Sequence, residues 1–115
     1  MNSWIEIDLP VPPSVNRFVA KLGNKSPVVK AWVRQADMAL LVAKSVNPPL
    51  FGIKGPYEAI VIFGEHRGDL SNRLKPLEDW LQRVKLIEND RLCRQLLLQW
   101  GGLPGRVIVK LRGWA

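Results

Sequence analysis

Apolar and polar residues alternate along Trp4-Ile5-Glu6-Ile7-Asp8-Leu9, with Ile5, Ile7 and Leu9 on one side, the period of a half-buried strand. Pro10, Pro12 and Pro13 stop it, because proline has no N–H to give a ladder. Residues 14–27 read as a loop ending in the turn cluster Gly23-Asn24-Lys25-Ser26-Pro27. The period then changes. Val29, Trp32, Val33, Ala36, Ala39, Leu40 and Ala43 recur at helical spacing, between a Ser26 N-cap with Pro27 at the first helical position and an Asn47-Pro48-Pro49 stop. Tyr57 to Phe63 is almost wholly apolar and β-branched, which predicts a central strand covered on both faces.

A second helix carries Leu74, Leu77, Leu81 and Val84 on one stripe. Pro76 fits it if the helix starts at Ser71 or Asn72, since early N–H groups have no intrahelical partner. Asp69 then falls just before the helix N-terminus. Leu92–Trp100 and Arg106–Arg112 are predicted to be a final pair of strands, joined as a hairpin by Gly101-Gly102-Leu103-Pro104-Gly105. The order β-α-β-α-β-β predicts an α+β domain over residues 1–115, with a mixed sheet of about four strands packed with two helices.

Composition supports one folded domain: 115 residues, 47% hydrophobic and 23% charged. No apolar run approaches the roughly 20 residues of a membrane span, and the first ten residues lack the apolar core of a signal peptide. A single cysteine, Cys93, forms no internal disulfide and is too few for a zinc site, which points to a reducing cytoplasm. Charge adds more. Seventeen Lys and Arg against ten Asp and Glu give a net charge of +7, which suits a polyanionic partner such as nucleic acid. The cations form no block, so such a partner would meet a folded surface.

Carboxylates are scarce here, and two sit at turns flanking the second helix. Asp69 precedes it, and Asp90 follows it in Ile87-Glu88-Asn89-Asp90, among Arg67, Arg73, Lys75, Arg83, Lys85, Arg91 and Arg94. A helix over 72–84 is roughly 20 Å long, and an extended segment 85–90 covers roughly the same distance. The chain can therefore bring Asp90 back near Asp69, or Asp90 can meet Asp69 of a partner subunit. Ser71 or Asn72, Lys75 and Asp79 share one polar helix edge at three- and four-residue intervals. Mg²⁺ takes one or two carboxylates plus substrate phosphate, which Asp69 and Asp90 can supply, with Lys75 beside them for developing charge. The plain alternative is a helix-terminal anion, a surface Lys75–Asp79 pair and a turn at Asn89-Asp90.

Three segments together change that balance. Leu9-Pro10-Val11-Pro12-Pro13-Ser14-Val15-Asn16-Arg17, Asp69-Leu70-Ser71-Asn72-Arg73-Leu74-Lys75 and Asn89-Asp90 occur in the order and at spacings similar to motifs of the RusA-type Holliday-junction resolvases, which the chain resembles over most of its length. Those are small dimeric endonucleases that cut four-way DNA junctions with Mg²⁺. The first segment matches L-P-x-P-P-S-x-N-R in full, and the second matches D-x-D-N-x-x-K except at Ser71. The third matches a pair of aspartates at its second member. The resemblance implies a homodimer with Asp69 and Asp90 as metal carboxylates and Lys75 as the catalytic lysine. Ser71 stands where the family has its middle aspartate, so a catalytically weakened or non-catalytic junction-binding paralogue is the alternative. Ser71 would bring the metal a hydroxyl or a held water. Glu88, Glu78, Asp79 or Glu65 would replace the missing carboxylate, with Glu88 first because it adjoins Asp90.

Arg17, Lys21, Lys25, Arg67 and Arg73 are candidate phosphate contacts, positioning DNA without reading its sequence. His66 lies near Asp69 and is more simply a bystander. Cys93 reads as a small buried residue, and Trp4, Trp32, Trp80 and Trp100 as core or dimer interface.

Overall fold

The computed structural model describes residues 4–13, 27–46, 52–64 and 70–114. Along the chain come β1 (Ile5–Pro10), α1 (Pro27–Val46), β2 (Tyr57–Phe63), α2 (Leu70–Arg83), a 3₁₀ turn (Asp90–Leu92), β3 (Cys93–Trp100) and β4 (Arg106–Gly113). This is the α+β order that the periodicity predicts. The strands form one sheet in the order β1-β4-β2-β3. β4 is antiparallel to both β1 and β2, whereas β2 and β3 run parallel. A parallel pair needs a crossover rather than a tight turn, and α2 lies in that crossover.

One face of the sheet is buried. Ile7 and Leu9 of β1, Val107, Val109 and Leu111 of β4, and Tyr57, Ala59, Val61 and Phe63 of β2 join a single core with both helices. α1 contributes Trp32, Ala36 and Leu40 at helical spacing; α2 contributes Leu77, Trp80 and Leu81. The two indoles meet edge to face, with ring centres 6.0 Å apart. Trp32 donates its indole N–H to the Pro10 carbonyl at 2.7 Å, and Trp80 donates to Asp37 at 2.9 Å. Asp37 also takes Arg83 at 2.6 Å, so one carboxylate of α1 ties down the end of α2. Among the described residues no helix is long and apolar enough to cross a membrane.

Several sequence expectations are corrected. β2 is central, but its burial alternates, so it is covered on one face only. The other face is half-exposed and held by cross-strand ion pairs: Lys110–Glu6 at 3.6 Å, Arg106–Asp8 at 3.0 Å and Arg112–Glu58 at 2.8 Å. Arg112 also lies over the Trp4 ring. β3 and β4 are not a hairpin, because β2 lies between them. Their five-residue connection steps across the end of β2, a gap of two strand spacings or about 10 Å that such a loop spans easily. Gly101 and Gly102 donate to the Phe63 carbonyl at 3.0 and 3.2 Å, capping β2 as the loop passes. Gly64 has to be glycine there, since a β-carbon would collide with the Leu103 carbonyl. α2 begins at Leu70, so Pro76 sits inside it and removes one backbone bond. Pro76 is buried, next to the core residue Leu77. Cys93 is only half-buried, because it opposes Tyr57 at a register shift where β3 begins.

Candidate metal centre

α2 ends in a way that returns the chain along its own side. Lys85 adopts the left-handed conformation (φ 64°), its N–H bonds the Gln82 carbonyl at 3.1 Å, and Leu86 bonds the Leu81 carbonyl at 3.0 Å. These are the paired bonds of a Schellman cap, and Leu81 and Leu86 both belong to the core. Leu86 and Ile87 are then buried, and Ile53 donates to Leu86 at 2.9 Å. Asn89 caps the 3₁₀ turn by accepting from the Arg91 N–H at 2.9 Å. Asp90 opens that turn, and its N–H donates to Gln82 Oε1 at 2.6 Å. One side chain of α2 thus positions the backbone of Asp90.

The consequence is electrostatic. Burial raises the Glu78 carboxyl above its usual range, and the nearby Asp90 carboxylate raises it further, against a smaller opposing pull from Lys75. Lys75 is held at 2.9 Å by Asp79, and this hydrogen bond is the main reason its ammonium is pushed up, with Asp90 and Glu78 adding to it. Tyr57 and Cys93 face the same carboxylates. Each is raised chiefly by burial, and for each Glu78 and Asp90 push the same way. The Asp90 carboxylate thus disfavours ionisation of Glu78, beside a lysine engaged with Asp79, and the cluster is acidic.

The structure brings Lys75, Asp79, Glu78 and Asp90 into mutual electrostatic reach. Ser71 lies one turn before Lys75 and is exposed. Glu88 goes elsewhere: its carboxylate accepts from the Gly55 N–H at 2.5 Å and lines a groove of about 580 Å³ with Gly52, Lys54, Gln82 and Lys85. Adjacency in sequence therefore misdirects, and Glu78 is the carboxylate that faces Asp90. Arg73 donates to the Pro12 carbonyl at 2.8 Å, tying α2 to the proline segment after β1. Asp69, Arg17, Lys21, Lys25, Arg67, Glu65 and His66 lie outside the described residues. Among the described residues no three Asp, Glu, His or Cys side chains gather as a metal site. Gln82 and Tyr57 were not anticipated. Gln82 is four residues after Glu78 on the same helix edge, a spacing visible in sequence, whereas Tyr57 arrives only through strand register.

A stability effect follows. The folded state holds the Glu78 proton more tightly than the unfolded chain does, so its contribution is fully present below the ordinary carboxylate range. It is lost as pH rises through the elevated folded pKa. Glu78→Gln is expected to raise the urea midpoint near neutral pH and to narrow that gain on acidification. A lower midpoint at neutral pH would mean that ionised Glu78 is net stabilising.

No protein-family model matches the chain, and no curated protein matches it at a significant level.

Proposed function

We propose that this chain is a Mg²⁺-dependent, structure-selective endodeoxyribonuclease of the RusA type, acting as a homodimer on four-way DNA junctions in recombination and repair. The observation that carries this reading is the return of Asp90 along α2 to face Glu78 and Lys75, in a chain of net charge +7. Asp90 and Asp69 would hold the ion, with Glu78 as the carboxylate nearest Asp90 and Ser71 contributing a hydroxyl. A bound Mg²⁺ supplies Lewis-acid polarisation of the phosphate and lowers the pKa of water.

The chain's own groups do the rest. Gln82 fixes the Asp90 backbone, and Asp79 fixes the Lys75 ammonium. Lys75 is protonated at neutral pH, as an ordinary lysine is, and its bond to Asp79 favours the charged form further, which suits it to steadying charge that develops on phosphate oxygens. Two-fold symmetry in a dimer matches the two-fold symmetry of a four-way junction, giving paired cuts.

The experiment is incubation of the pure protein with a labelled synthetic junction and Mg²⁺. Symmetric paired cuts are expected; their absence rejects the nuclease reading. One observation favours a second reading. Ser71 brings no charge where the resemblance calls for aspartate, which suits a paralogue that binds junctions without cutting them. Ser71→Asp separates the two. In the nuclease reading it lowers the half-saturating Mg²⁺ concentration of an already active protein by about tenfold. In the second it creates cutting where the unmodified chain has none.

A further inference from the structure

We propose that the groove between the end of α2 and residues 52–55 holds a backbone phosphate of a DNA strand, between Lys54 and Lys85. The groove opens beside the carboxylate cluster, because Gln82 lines it and also accepts the Asp90 N–H. The inference rests on the nucleic-acid part of the reading above and not on cutting.

Both lysines stand on backbone that is held in place. Ile53 donates to the Leu86 carbonyl at 2.9 Å and pairs with Ile87 as an isolated parallel bridge. Gly55, at φ 77°, donates to the Glu88 carboxylate at 2.5 Å. Lys54 is thus bracketed by two bonds to residues 86–88. On the facing wall, a β-carbon on Gly52 would come within 2.0 Å of the Lys85 carbonyl oxygen, so only glycine lets the two walls meet.

The charges in this concavity favour an anion. Lys54 and Lys85 are exposed and make no ion pair among the described residues. Glu88, the acid at the rim, is engaged by the Gly55 N–H and not by either ammonium. Ile53 and Ile87 add an apolar wall against which a sugar can pack. At about 580 Å³ the groove is larger than one phosphate needs and falls within the roughly 300–1,000 Å³ of ligand sites. In a chain of net charge +7, a strand of nucleic acid is the anion that such a site meets.

The backbone supplies an independent sign. Lys85 is the one non-glycine residue with positive φ among the described residues. It occupies the position after the helix where a Schellman cap favours glycine. Lysine kept in a conformation that strains it points to a use for its side chain.

Anisotropy of a labelled four-way junction with the full chain tests this, in EDTA so that no cutting intervenes, over about 50–200 mM salt. Lys54→Gln with Lys85→Gly is expected to weaken binding about five- to tenfold near 0.1 M salt. It should also lower the slope of log affinity against log salt by about 0.9, the share of one phosphate. Lys44→Gln removes an exposed charge on α1 and should change affinity by less than about twofold. Lys85→Gly alone should show an unchanged or higher urea midpoint, because glycine relieves the left-handed conformation. A lysine kept only to offset the helix dipole would instead lose stability and leave DNA binding unchanged. Should the double variant unfold, Lys54→Gln alone decides, since it leaves the cap untouched. A slope and affinity that match those of Lys44→Gln, or no junction binding by the unmodified chain, would overturn the proposal. A lowered slope in a protein that leaves junctions uncut keeps the groove and removes the nuclease reading; cutting with an unchanged slope does the reverse.

Discussion

Asp90→Asn is expected to lower Mg²⁺-dependent junction cleavage by about a hundredfold or more without unfolding the protein. The substitution keeps the shape of a half-buried side chain and the backbone bond to Gln82. What it removes is a charge. A carboxylate that holds a catalytic cation supports several kcal/mol of charge stabilisation, and each 1.36 kcal/mol is about a factor of ten in rate. Asn is a poorer ligand for a hard cation, and it also relieves the pressure on Glu78. The same variant should therefore be slightly more stable in the absence of metal while cutting poorly in its presence. Single-turnover cleavage of a labelled junction measures the loss. A rate within a few-fold of the unmodified protein would take Asp90 out of the chemistry.

Trp80→Ala is expected to cost about 3–5 kcal/mol of folding stability, the range for truncating a large buried aromatic side chain. Trp80 is 1% exposed and packs edge to face on Trp32. Its loss leaves a cavity between the helices and takes one donor from Asp37, which keeps Arg83. A domain of this size is stable by roughly 6–17 kcal/mol, so a single truncation removes a large share. Trp80→Phe keeps most of the ring volume and should cost markedly less. Urea unfolding followed by far-UV circular dichroism measures both. A loss under about 1 kcal/mol for Trp80→Ala would mean that the helix interface repacks around the gap.

Where burial follows the local period, the fold was legible. β1 and the inner faces of α1 and α2 bury the residues that the two- and 3.6-residue spacings select. Strand neighbours were less so. A short loop after a strand serves a hairpin or a step over one intervening strand, and nothing local in residues 101–105 distinguishes them until Phe63 receives the two glycine N–H groups. The open face of β2 was hidden for a related reason. Ile60 and Ile62 look like core residues, but on that face they lie in a row with Ile108 and Leu97, where lateral apolar contact replaces a covering layer.

The candidate site shows the same limit. Helix length and the length of 85–90 allow the chain to turn back after α2; the structure sets the Asp90 backbone against Gln82 and its charge within reach of Lys75, while Asp69 lies outside the described residues. Which glutamate accompanies Asp90 does not follow. Glu88 is closer in sequence but turns away to Gly55, and Glu78 is brought in by the helix edge it shares with Gln82. The choice depends on how the Schellman cap rotates the chain, a conformation that Lys85 adopts despite lacking the freedom of glycine.

Anomalous diffraction from crystals of the full chain soaked in Mn²⁺, a stand-in for Mg²⁺, tests the central claim most directly. An ion is expected with carboxylate oxygens of Asp90 and Asp69 at about 2.0–2.2 Å and Glu78 next to it or reaching it through water. No ion at Asp90, or an Asp69 side chain remote from it both within a subunit and across a dimer, would contradict the account.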